Sequence, residues 1–334
     1  MKICIVTLPL KNNYGGILQN YALQEVLREM GHEVYTIDYI PKPKFYRILL
    51  SHLRTILYLF VPSKRRAFVN YSDKIKPQYN GFISKNIERT YRINHYTNRV
   101  LIDYKPDAII VGSDQVWRLL YNQEVLADMF LDFATNYNCS KIAYAASFGI
   151  NQWDYDDEQT EKIKCLIKNI PHISVRELSG VKICKEILGV EAREVLDPTM
   201  LLSSEKYSKL CEKIPNLPKK YIGAYILDEN EETLNELNRI CLDNSNYPLE
   251  IHHAGEYSKL TVGQWLYLIK NAEILVTDSF HGYVFSQMFN TKVHLIINTK
   301  RGSERFYDIQ NKLKRNDIQY WKRISLEFLE SCLK

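Results

Sequence analysis

The sequence has little of what marks an extracellular, metal-bound or membrane-spanning protein. Its seven cysteines, Cys4, Cys139, Cys165, Cys184, Cys211, Cys241 and Cys332, are scattered, odd in number and never at CxxC spacing. That spacing excludes an evident zinc knuckle or disulfide framework and fits a reducing compartment. No apolar run reaches the ~20 residues that cross a bilayer as a helix. The closest, Ile48 to Val61, is broken by His52 and Arg54. The opening Met1-Lys2-Ile3-Cys4-Ile5-Val6 reads straight into a strand, so no secretory signal is expected. An excess of one charge is also missing. The net charge is +5, and no basic run interleaved with aromatics marks a nucleic-acid groove. There is no internal repeat and no low-complexity tract.

What is present is an ordinary globular composition, 46% hydrophobic and 25% charged over 334 residues. That length suits about two domains. Short β-branched runs alternate with helical patterns, which predicts α/β architecture with parallel sheets. Ile3 to Leu8 reads as a strand, followed by the polar turn Asn12-Asn13-Tyr14-Gly15-Gly16 and a helix ending near Gly31. Strands follow at Val34 to Ile37, Ala108 to Val111, Ile142 to Ala145 and Ile173 to Val175. Val195-Leu196-Asp197-Pro198-Thr199 reads as a crossing between domains. A second set follows at Tyr221 to Leu227, Leu249 to His252, Ile274 to Thr277 and Val293 to Ile297. The expected domains are 1–200, with a helical insertion at about 45–104, and 201–334, whose last amphipathic segment can pack back on the first. Arg47 to Arg66 combines apolar and basic residues; a charged core helix is favoured there over a membrane-surface helix.

Ligands of open α/β sheets sit outside the carboxyl ends of the strands, so the loops there supply the candidates. Asn13-Tyr14-Gly15-Gly16 opens a helix whose free N–H groups suit an anion or a sugar. It is not GxGxxG, and an ordinary turn reads equally well. His281, in Asp278-Ser279-Phe280-His281-Gly282, suits proton transfer near neutral pH, with Asp278 close enough in sequence to orient it. A loop histidine facing solvent is the competing reading. Arg176 ends a strand and suits phosphate or carboxylate, or else an ion pair with Glu177 or an interdomain contact. Ser113, Asp114 and Gln115 follow another strand, where a helix cap is the simpler reading. Arg301 and Arg305 lie in a basic loop after the final strand, and such clusters are most often solvated surface.

Taken in order, these loops resemble the bacterial polysaccharide pyruvyltransferase family. The resemblance rests on Asn13-Tyr14-Gly15-Gly16-Ile17-Leu18-Gln19, Tyr21-Ala22-Leu23-Gln24 and Val111-Gly112-Ser113-Asp114-Gln115-Val116-Trp117. Ser174-Val175-Arg176-Glu177, Asp197-Pro198-Thr199, Asp278-Ser279-Phe280-His281-Gly282 and Arg301-Gly302-Ser303-Glu304-Arg305 complete it. It implies a GT-B-like fold, two Rossmann-like doubly wound domains facing a central cleft. It also implies phosphoenolpyruvate as co-substrate, no cofactor and no metal, and a glycan or lipid-linked sugar as acceptor in surface-polysaccharide synthesis. On that footing His281 and Asp278 are the expected catalytic pair, and Arg176, Ser279, Arg301 and Arg305 the donor contacts. Asn13, Tyr14, Gly15, Gly16, Gln19, Ser113, Asp114 and Gln115 become the acceptor or loop contacts. The chain departs from better-characterised members, which carry Arg-Leu-His where it has Ser279-Phe280-His281. Two other readings stay open: glycosyl transfer from a nucleotide sugar, and a non-catalytic glycan-binding member. The expected location is the cytoplasm, with the inner face of the membrane open to it.

Overall fold

A computed structural model describes residues 1–42, 75–253, 259–297, 304–314 and 317–334. The expected helix over Arg47 to Arg66, the first half of the expected insertion, and Arg301 lie outside the described residues, as does the side chain of Arg305.

Two all-parallel sheets carry the fold. The first contains β1 (Lys2–Val6), β2 (Glu33–Thr36), β3 (Ala108–Asp114), β4 (Ser140–Ala146), β5 (His172–Val175) and β6 (Arg193–Glu194). Their order is β2-β1-β3-β4-β5-β6. The second contains β7 (Ile222–Ile226), β8 (Leu249–His253), β9 (Ile274–Thr277) and β10 (Val293–Leu295), in the order β10-β9-β7-β8. β3 and β7 are buried along their whole length, which is why Ala108 to Val111 of β3 and all of β7 read without an alternating polar face. β6 has only two residues and carries no apolar run, so the sequence pattern does not reveal it.

In each sheet the connections leave adjacent strands in opposite directions, at β1/β3 and at β7/β9. Such a switch point opens a crevice at the strands' carboxyl ends. Polar side chains tie both crevices. Gln19 lies in the Tyr14–Glu29 helix that follows β1. Its Nε2 donates to Thr7 Oγ1 at 3.1 Å, and its Oε1 accepts from the Ser113 N–H and hydroxyl at 3.1 and 2.9 Å. In the second sheet, Asp278 accepts from the N–H groups of Leu227 and Asp228 at 2.6 and 3.0 Å.

One apolar core crosses both sheets. It joins Ile3, Ile5, Ile17 and Tyr144 of the first to Tyr225, Trp265, Leu275 and Phe285 of the second. Tyr14 is its keystone. The ring stacks on Trp265 at 5.1 Å, and the hydroxyl donates to the Leu260 carbonyl at 2.7 Å. The final helix, Ile318–Cys332, adds Phe328 and Leu329 to this core, while Ser325 Oγ accepts from the Leu196 N–H at 2.9 Å.

Candidate active site

The carboxyl ends of both sheets deliver charged side chains to one buried cluster centred on Arg176. The residue leaves β5, and its guanidinium meets three carboxylates: Asp197 Oδ2 at 2.8 Å, Asp114 Oδ1 at 3.5 Å and Glu177 Oε2 at 3.7 Å. It also lies over the Phe280 ring, 4.5 Å from the centroid. Burial works against the Arg176 charge, but Asp197, Asp114 and Glu177 outweigh it and raise the pKa. Three buried acids around one cation leave the cluster short of positive charge.

Asp197 is the shared partner. Its Oδ1 accepts from the Thr199 hydroxyl and N–H at 2.6 and 3.0 Å. Its Oδ2 faces both Arg176 and His281 Nε2, the latter at 3.6 Å. At that distance the histidine pair is an ionic approach and longer than a hydrogen bond. Burial would push the Asp197 carboxyl up; His281, Arg176 and Thr199 together hold it below the usual carboxylate range.

His281 enters from the other sheet, in the first turn of the Phe280–Met288 helix capped by Ser279. It is 7% exposed, and its Nε2 is buried without a hydrogen-bond partner. Its side chain lies against Gly15, in the first turn of the Tyr14–Glu29 helix. A Cβ there would overlap the imidazole at Nδ1 and Cγ and sit 2.8 Å from the His281 Cβ. Gly112 is equally constrained, because a Cβ would collide with the Tyr144 carbonyl and its φ is +127°. Two residues on, Asp114 holds a left-handed φ of 74°, which aims its carboxylate toward Arg176. Non-glycine residues adopt that region at a cost and tend to do so at functional sites.

Gly15→Ala should therefore lower stability by roughly 1–3 kcal/mol through overpacking, although alanine is the better helix former. Thermal denaturation measures this, and a variant that melts higher would mean that His281 swings clear of the added methyl.

The expected site residues divide by what they touch. His281, Arg176, Asp114 and Gly15 converge. Asp278, expected to orient His281, instead holds the Leu227–Asp228 backbone, and the carboxylate facing His281 is Asp197. Ser279 accepts from the Gly282 N–H at 3.2 Å and Asn13 from the Gly16 N–H at 3.2 Å, both as helix caps. Gln19 and Ser113 are fully buried and bond each other, and Tyr14 is locked in the core. Gln115 accepts from Arg118 Nη1 at 2.9 Å. The sequence reading missed Asp197 as a site residue, though Asp-Pro-Thr has the form of a capped turn. It also missed Lys312, which reaches Glu194 at 2.6 Å and the Arg176 carbonyl at 3.2 Å, and which no local motif marks. A cavity of about 10 Å³ lies against Arg176, Asp197, Phe280 and Lys312, room for about one water.

The sequence model of the polysaccharide pyruvyl transferase family matches residues 13–300. The chain belongs to that family. All the converging side chains except Lys312 fall within the matched span, so the site of this pyruvyl transferase family member is built from family-matched sequence. No curated protein matches the sequence. Among solved structures, the UDP-GlcNAc 2-epimerase of Methanocaldococcus jannaschii, in complex with UDP-GlcNAc and UDP, is similar with a TM-score of 0.50. Its identity is 13%, over 88% of this chain and 83% of that one. S. aureus MnaA with UDP gives a TM-score of 0.47 at 12% identity, over 97% and 91% of the two chains. An α-glucosyltransferase solved with UDP and a 13-mer DNA gives 0.49 at 10% identity, over 98% and 95%. At such identity the likeness speaks to fold alone. The pyruvyl transferase family member has an α/β fold of the GT-B kind. No helix among its described residues is long and apolar enough to cross a membrane.

Proposed function

We propose that the chain transfers the pyruvyl group of phosphoenolpyruvate to two hydroxyls of a glycan or lipid-linked sugar, forming a pyruvate ketal and releasing phosphate. The observation that carries this reading, beyond family membership, is His281. It is a proton-transfer group with an unpartnered Nε2, held between Gly15 and the Asp197 carboxylate where the two sheets meet. Ketal formation begins when a proton reaches the terminal carbon of the enol. The adjacent carbon, which carries the phosphate ester, becomes cationic and accepts a sugar hydroxyl, whose proton is lost. A second hydroxyl then displaces phosphate and closes the ring. His281 is suited to deliver the first proton and recover one from a hydroxyl, with the Asp197 carboxylate 3.6 Å from its Nε2.

The donor is anionic, and Arg176 already faces three carboxylates. In this proposal the donor's phosphate and carboxylate compete with Asp114 and Glu177 for Arg176, and Arg301 and Arg305 of the family-type basic loop supply the further charge. Calorimetric titration with phosphoenolpyruvate beside a panel of nucleotide sugars tests the reading. Selective binding of phosphoenolpyruvate is expected, with phosphate release once an acceptor is added. Selective binding of a nucleotide sugar would make the reaction glycosyl transfer. Silence towards both would favour a glycan-binding role without chemistry.

A further inference from the structure

A second concave site lies on the outer side of the first sheet. Beyond β2 the chain runs on through Tyr39 and Ile40 to Lys42, and the segment at 87–97 pairs alongside it through the bridges Thr36 to Arg89 and Tyr39 to Ile93. Between these strands and the Arg99–Tyr104 helix is a pocket of about 400 Å³. It follows the carboxyl end of β2, the neighbour of β1, and so opens on the edge where ligands of such sheets bind. Its size falls in the range of small-molecule sites.

The lining includes Lys42, Arg92, Arg99 and His95 and no carboxylate. The nearby acids are not part of the lining and hold the arginines by one nitrogen each. Asp38 accepts from Arg92 Nε at 3.3 Å and from Arg89 at 3.1 Å, and Asp103 accepts from Arg99 Nε at 3.0 Å and from the Tyr91 hydroxyl at 2.9 Å. Both guanidinium groups are thus held to a carboxylate through Nε, which leaves their terminal nitrogens directed away from that contact. Lys42 and His95 pair with no carboxylate among the described residues. Lys42, Arg92 and Arg99 of the lining face Asp38 and Asp103, and Asp38 is shared with Arg89, so the cations around the pocket outnumber these two acids.

We propose that this pocket binds a phosphoryl group, as a phosphate or diphosphate ester, apart from the His281 site. Two pre-positioned guanidinium groups and an ammonium match the several oxygens and multiple charge of such a group better than a single carboxylate. The volume leaves room for whatever the phosphoryl group esterifies. This inference stands without the reaction proposed above.

The test is calorimetric titration of the full chain with inorganic pyrophosphate. Saturable binding is expected, weakened about tenfold by Lys42→Gln or Arg92→Gln, kept in His281→Gln, and reduced as salt rises. Removing Arg92 also leaves Asp38 with Arg89 alone, whereas Lys42 holds no ion pair among the described residues, so Lys42→Gln reports on the pocket without loosening the fold. Sedimentation with phosphatidylcholine vesicles, with and without phosphatidylglycerol, separates the sources of the ligand. Retention by the anionic vesicles, competed by pyrophosphate, assigns the pocket to a lipid headgroup; pyrophosphate binding without retention assigns it to a soluble ester. No saturable binding, equal affinity in Lys42→Gln and Arg92→Gln, or loss in His281→Gln would overturn the proposal.

Discussion

Exchanging His281 for glutamine is expected to reduce turnover by roughly 10²–10⁴-fold, the usual weight of a positioned acid–base group. Glutamine keeps a hydrogen-bonding head of similar reach toward Asp197 but cannot carry a proton at neutral pH. His281→Ala should lose as much activity. It should also leave a void against Gly15, because the imidazole is 7% exposed. Comparing the pair separates chemistry from packing. The chemical loss is common to both variants, while any extra fall in melting temperature belongs to alanine. Normal turnover in His281→Gln would remove the residue from the mechanism, whatever alanine did.

Arg176→Ala should cost the fold about 3–5 kcal/mol, the range seen when one partner of a buried ion pair is removed. Asp197, Asp114 and Glu177 would remain buried without their cation. The pH dependence follows from the direction of the shifts. In the native chain the Asp197 carboxyl is held below its ordinary value of 3.8, so its contribution is intact above that value and fades as pH falls below it. Without Arg176, burial would push the Asp197 carboxyl up against fewer opposing partners. The variant should then gain relative stability as pH falls and lose it as pH rises. The gap between wild type and variant is therefore widest at neutral pH and narrows toward pH 4. Denaturant titrations at several pH values measure it. A gap that stays constant would mean that the carboxylates find other partners.

The apolar strands were the easiest elements to read, because buried parallel strands have no polar face to confuse the pattern. Ile274 to Thr277 matches β9 at both ends, and Ala108 to Val111 lies inside β3. The β3 strand continues to Asp114 because Gly112 and Asp114 pair with Tyr144 and Ala146 of β4 despite the turn-like composition of the segment. The site was legible only in part. His281 and Arg176 stand at strand ends, where the architecture itself makes them candidates. Asp197 comes between them only through the approach of two sheets far apart in sequence, which no local spacing encodes. The same holds in reverse for Asp278 and Gln19. Each looked like a ligand group by position, and each is occupied in tying a switch point together.

The core that runs from Ile3 through Tyr14 to Trp265 has a thermodynamic consequence. An element keeps a stability of its own only if it buries its own apolar surface. Here the Tyr14–Glu29 helix and the Trp265 face each lie against the other half of the chain. Heat or denaturant that loosens either sheet is expected to uncover the other's side of this shared core. Each sheet also has a core of its own, so the shared core is expected to couple their melting and draw their transition temperatures together.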